Sequence, residues 1–160
     1  MMAALHQAGF QVSGCDPSES GLEFARQAVP GANLKVLGVY DASGELGESG
    51  FDVVTSTEVV EHLFSPRALP RFARQVLKPG GHLIVSTPYH GYLKNLLLAL
   101  TNKWDPHHTV LWDGGHVKFW SKDTLSQMLT DEGFTVEKFV GAGRFRFLWM
   151  SMILVARKTD

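Results

Sequence analysis

Four places in the sequence carry side chains whose type and position suit chemistry. Asp16 closes the β-rich run FQVSGCD. A carboxylate there can accept both vicinal hydroxyls of an adenosine ribose, although an Asp ahead of a helix is more often a cap or turn residue. Asp41 stands after the next such run, LKVLGV, where it can accept from the exocyclic amine of adenine while the Ala42 N–H donates to a ring nitrogen. Thr57 and Glu58 close a third run, FDVVTST, and begin the spacing Glu58, Glu61, His62. One such strand end means little, but three in a row describe a nucleoside pocket on one rim. Among side chains that titrate near neutrality, His62, His107, His108 and His116 are the candidate general bases, and His62 stands nearest that rim.

These groups need elements to position them. Ala3 to Gly9 reads as a helix end with a glycine stop, and Ser18 or Ser20 caps a helix whose Leu22, Ala25 and Val29 recur at helical spacing until Pro30. DASGELGESG is a polar loop before a buried strand, FDVVTST. Ser65-Pro66 opens a helix with the stripe Leu69, Phe72, Ala73 and Val76; KPGG is a turn, and HLIVSTP a strand. Residues 91–120 pass from an apolar helix, YLKNLLLAL, into an aperiodic stretch rich in His and Trp, a candidate substrate lid. Ser121 caps a last helix, and FTVEKFV and FRFLWMSMILVA close the chain as two strands, Arg144 and Arg146 marking a wet face. The expected fold is α/β: a Rossmann-like, mostly parallel sheet with helices on both faces and a C-terminal antiparallel hairpin, in one domain over 1–160.

Composition excludes several classes. A chain of 160 residues, 44% hydrophobic and 19% charged, suits one globular domain. The net charge of -1 supplies no bulk field for nucleic acid, and Arg67, Arg71, Arg74 and Lys78 read as a solvated helix face. One cysteine points to a reducing, cytoplasmic setting. FLWMSMILVA is about half of the ~20 residues a membrane span needs.

Together QVSGCDPSESGLEFAR, FDVVTSTEVVEHL, LKPGGHLIVSTP and HVKFWSKDTLSQMLTDEGF resemble, in that order and over nearly the whole chain, the class I S-adenosylmethionine-dependent methyltransferases, in particular the ubiquinone-pathway O-methyltransferases. The resemblance implies S-adenosylmethionine as cofactor and a small, aromatic or apolar acceptor, with no nucleic acid or membrane span involved. It implies Asp16 at the ribose, Asp41 and Ala42 at the adenine, and Thr57 and Glu58 beside the methionine portion. It also implies Glu58, Glu61 and His62 as divalent-metal ligands in some members, on the expectation that i, i+3 and i+4 share a helix face. The bland alternative, a charged helix N-terminus with a packed His62, is preferred, and no metal requirement is expected. The family's glycine-rich loop should precede the acidic residue by about 20 positions. Asp16 leaves no room for it, so the first strand is expected to be missing. The competing readings are a nicotinamide-dependent oxidoreductase fragment, since Asp16 suits an NAD ribose equally, and a non-catalytic remnant; E-x-x-E-H and KPGG favour the methyltransferase.

Overall fold

Gly9 ends the first helix, α1 (Met2–Gln7), with φ at 89°, and the chain then extends into β1 (Ser13–Asp16). Ser18 caps α2 (Glu19–Ala28), its hydroxyl accepting the Gly21 N–H at 3.2 Å, and β2 (Asn33–Val36) returns parallel to β1. A 3-10 turn at Ser43–Leu46 ends the first of two compact units, Met1–Ser49, whose buried apolar side chains include Leu22, Val29, Leu37 and Leu46. The computed structural model describes residues 1–108 and 111–159; Thr109 and Val110 of the expected lid, and Asp160, lie outside the described residues.

The second unit, Gly50–Asp160, is a four-stranded sheet in the order β3-β4-β6-β5. Its first strand, β3 (Phe51–Thr57), runs parallel to β4 (Leu77–Pro88), with α3 (Ala68–Val76) as the crossover. Phe51 pairs with Leu77 and Val53 already with His82, so Lys78–Gly81 bulges out of the ladder, the physical form of the expected KPGG turn. Pro66 begins α3 through a turn: the Ala68 N–H donates to the Ser65 carbonyl, and the helix starts two residues after the proline. The expected stripe of Leu69, Phe72, Ala73 and Val76 is buried.

Next come α4 (Tyr92–Leu100), α5 (Trp104–His108) and α6 (Lys122–Asp131), the last opened by a reciprocal pair: the Ser121 hydroxyl accepts the Thr124 N–H, and Thr124 Oγ1 accepts the Ser121 N–H. Gly133 ends it at φ 81°, where an added Cβ would collide with the Arg74 guanidinium. The closing strands, β5 (Phe134–Ala142) and β6 (Ser151–Lys158), are antiparallel, and β6 inserts between β4 and β5.

Alternation along β4 and β6 turns Leu83, Val85, Met152, Leu154 and Ala156 toward one fully buried face. Two helices pack on this sheet, α3 against β4 and α6 against β5 and β6. They are joined to each other through Arg67 with Asp131 and Glu132, and Arg71 with Glu132.

Four expectations differ in detail. The strands form two sheets, β1-β2 and β3-β4-β6-β5, in place of one. FDVVTST is an outer strand of its sheet, and Val53 is exposed, because β4 pairs only one of its edges. Residues 144–147 lie between β5 and β6, with Arg144 and Phe147 in the left-handed region, which breaks the alternation their sequence implied. Arg67 and Arg71, expected as freely solvated, are paired with carboxylates of α6.

Candidate active site

Parallel strands with a helix between them bring their C-terminal ends to a common rim. In the first unit this places Asp16 and the loop after β2 side by side, for the Leu37 N–H donates to the Asp16 carbonyl just beyond the ladder. Asp16 Oδ1 accepts the Ser18 N–H at 2.8 Å, and Asp41 Oδ2 accepts the Gly38 N–H at 2.7 Å. Each carboxylate thus has one oxygen fixing its own turn, and both residues are exposed, as is Ala42.

In the second unit Thr57 ends β3, exposed, and the chain turns sharply at Glu58, whose φ of 52° is left-handed. The Glu58 N–H donates to the Ser86 carbonyl, and Ser86 Oγ donates to Glu58 Oε1 at 2.8 Å. This double tie to β4 holds an otherwise unfavourable backbone conformation. The following Val60–His62 is a single 3-10 turn anchored by fully buried Val60. Glu58 therefore lies ahead of the turn and off any helix face, while Glu61 and His62 lie within it.

Glu61 is 0% exposed. Its Oε2 accepts from Thr87 Oγ1 at 2.9 Å, and its Oε1 is buried with no hydrogen-bond partner. Burial pushes this carboxyl upward and the neighbouring Glu58 adds to the rise, while its own backbone amide, Thr87 and His62 oppose it. His62 Nδ1 lies 2.9 Å from the Gly114 carbonyl and 3.3 Å from that of Gly115. Carbonyls only accept, so Nδ1 carries a proton, and in the neutral ring this leaves the lone pair on Nε2.

His116 comes from the aperiodic stretch, which is pinned here because the Val117 and Lys118 N–H groups both donate to the Glu61 carbonyl at 2.9 Å. The His62 and His116 rings meet edge to face with centroids 4.9 Å apart. One ligand atom from each of Glu61, His62 and His116 lies within 4.8 Å of the other two. Glu58 does not belong to that group.

A second imidazole group stands past the end of β4. His90, 7% exposed, packs against His107, His108 and Phe119, with ring centroids 5.5, 5.8 and 5.1 Å away. Desolvation, then the Lys94 charge, lowers His90 to about 4, and burial lowers His107 and His108 as well. Both ring nitrogens of His108 are buried without a partner. Lys94 is buried too, its ammonium donating to the Tyr89 carbonyl at 2.7 Å. Sequence reasoning passed over His90 and Lys94; the signal was there in His90 following Pro88, the last residue of a strand whose partner strand ends at Thr57.

Within the first unit the end of β1 and the loop after β2 offer carboxylates suited to a nucleoside, and within the second the Glu58–His62 turn and its neighbours offer carboxylates and imidazoles suited to proton transfer. Comparison with known proteins bears on the family and the fold. A methyltransferase-domain family matches residues 1–138. A ubiquinone biosynthesis O-methyltransferase of Ruegeria pomeroyi is 33% identical over 131 residues, covering 78% of this chain and 51% of that protein. One from Azorhizobium caulinodans is 29% identical over 144 residues, covering 86% and 55%. The chain thus spans about half the length of the curated relatives it matches. Among solved structures, a SAM-dependent methyltransferase of Methanosarcina mazei superposes with TM-score 0.73 at 20% identity, over 99% of this chain and 87% of that one. A Burkholderia thailandensis 1,6-didemethyltoxoflavin-N1-methyltransferase, with bound S-adenosylhomocysteine, gives TM-score 0.71 at 15% identity over 99% and 66%. At those identities the two structures speak for a Rossmann-like fold.

Proposed function

This chain belongs to the methyltransferase-domain family, and we propose that it takes S-adenosylmethionine and passes the methyl group to an oxygen of a small aromatic acceptor. The observations that carry this reading are, within the first unit, the exposed carboxylates Asp16 and Asp41 at the end of β1 and in the loop after β2 and, within the second, the imidazole of His62, oriented by the Gly114 carbonyl at Nδ1. Asp16 accepts the ribose hydroxyls, and Asp41 with the Ala42 amide reads the adenine. Thr57 and Glu58 serve the methionine portion. The oxygen acceptor is supported by the ubiquinone O-methyltransferase relatives and by the aromatic and imidazole side chains of residues 104–120.

The reaction asks little covalent chemistry of the protein. The acceptor oxygen attacks the sulfonium methyl in line, the C–S bond breaks toward sulfur, and S-adenosylhomocysteine leaves. Alignment and exclusion of water supply most of the rate. The acceptor's proton goes to His62 Nε2, which the Gly114 carbonyl keeps in the accepting tautomer by holding Nδ1–H. No nicotinamide chemistry is needed.

Calorimetry tests the reading. S-adenosylhomocysteine should bind and NAD should not, and Asp16→Ala should weaken S-adenosylhomocysteine by about 1–3 kcal/mol, the cost of stranding hydroxyls at a polar site. Because Asp16 also fixes its turn through Ser18, Asp16→Asn is the control: it keeps the turn acceptor while removing the charge. Undiminished affinity in both variants would reject the ribose role, and NAD binding in place of S-adenosylhomocysteine would reject the function.

A further inference from the structure

We infer that Lys94, His107 and Arg144 form an anion subsite, and that the acceptor is an aromatic carboxylate whose ring lies against Trp104 and Phe119 and whose acid group meets the Lys94 ammonium. That the ligand is the methyl acceptor rests on the proposed function; that it is an anion rests on these side chains alone.

The setting of Lys94 is the first support. It is the third residue of α4 and only 7% exposed. One of its three N–H donors is spent on the Tyr89 carbonyl at 2.7 Å. Among the described residues it forms no ion pair. Gly91 caps α4 without a side-chain acceptor, and no acidic residue stands in the first turn. A cation there has lost its water and faces the positive end of the helix dipole, two costs that a bound carboxylate offsets.

The second support is the sign of the surrounding charges. Burial, then the Arg144 charge, lowers the Lys94 ammonium; burial, then Lys94, lowers His107, with His108, Arg144 and His116 adding to it. Lys94 depresses His90 and His108 as well, after burial. Among the described residues, the one acidic side chain acting on any of these four groups is Asp105, on His108. A cluster of one sign is stabilised by a ligand of the other. Exposure rises from buried Lys94 and His90 through half-buried His107 to exposed Arg144, so the positive charge leads inward from the surface.

The third support is aromatic. Trp104 and Phe119 flank His108, with ring centroids 4.4 and 4.6 Å from it, and are 48% and 47% exposed. Half-open aromatic rings beside a cation suit an aryl acid better than a compact inorganic anion.

Benzoate and benzamide, matched in shape and different in charge, are the probes, used without S-adenosylhomocysteine. Titration followed by ligand-observed NMR should show saturable benzoate binding, with benzamide weaker by about tenfold or more. Lys94→Met keeps the apolar stem; it should weaken benzoate by about tenfold or more and leave benzamide within about twofold. Arg144→Gln, at an exposed position, should weaken benzoate about threefold, and it carries the test if Lys94→Met fails to fold. Were Lys94 only a brace for the Tyr89 carbonyl, Lys94→Met would melt lower yet bind benzoate like the parent, which overturns the assignment. Absence of benzoate binding by the parent chain overturns it too. So does equal binding of benzamide, or tighter binding of inorganic phosphate than of benzoate. Loss of S-adenosylhomocysteine binding, measured separately, rejects the proposed function and leaves the anion subsite standing, and the reverse.

Discussion

At the scale of single residues, the second unit stores polar groups in places that solvent does not satisfy. His90 shows what this implies for pH. Its folded-state pKa is about 4 against an ordinary 6.5, so the unfolded chain takes up the proton first as pH falls. The stability it contributes is complete above 6.5 and drains away between 6.5 and about 4. His107 and His108 shift in the same direction. With partial screening by solvent, the His90 share is on the order of 2 kcal/mol. Urea midpoints measured near pH 7 and near pH 4.5 should fall further apart for the parent chain than for His90→Asn. Equal separations would mean that His90 is as easily protonated folded as unfolded. Glu61 belongs to the same class of residue, fully buried with one carboxylate oxygen that has no hydrogen-bond partner.

At the scale of elements, α6 separates capping from packing. Ser121 and Thr124 satisfy each other's backbone N–H groups, and Leu125, Met128 and Leu129 are buried. Ser121→Ala should cost about 1 kcal/mol, whereas Leu129→Ala should cost about 2–5 kcal/mol because it adds a cavity to the lost burial. Denaturation of the two variants checks the ordering; equal losses would mean that the end of the helix matters as much as its core stripe. The capping signal was legible because Ser ahead of an apolar-periodic run is local information. Local information failed at Glu58. Glu and His at i, i+3 and i+4 suit a helix face, but Ser86 binds both the backbone and the side chain of Glu58 and pulls it out of helical conformation.

At the scale of the molecule, the two compact units differ in how much they bury. The first rests on a two-stranded sheet, which is marginal alone, while β4 and β6 in the second are paired on both edges. Amide exchange should therefore be slowest in Leu83–Val85 and Met152–Ala156 and much faster in Ser13–Asp16 and Asn33–Val36. Protection of β1 and β2 equal to that of β4 and β6 would show that the first unit opens only with global unfolding. No helix among the described residues is long and apolar enough to cross a membrane.

The sequence by itself determined the kinds of elements and most of their order, since hydrophobic period, caps and glycine stops act within a few residues of one another. It also placed Asp16 and Thr57 at strand ends, because a strand's end is marked by the residues that stop it, and Asp41 in the loop beyond β2. What only tertiary structure decided is who meets whom: β6 between β4 and β5, Thr87 under Glu61, and His116 beside His62. Those contacts join segments tens of residues apart, and no periodicity in an aperiodic stretch such as 104–120 can announce them. Pairing across such distances is set by which buried polar atoms and sheet edges remain to be satisfied after the local elements have formed.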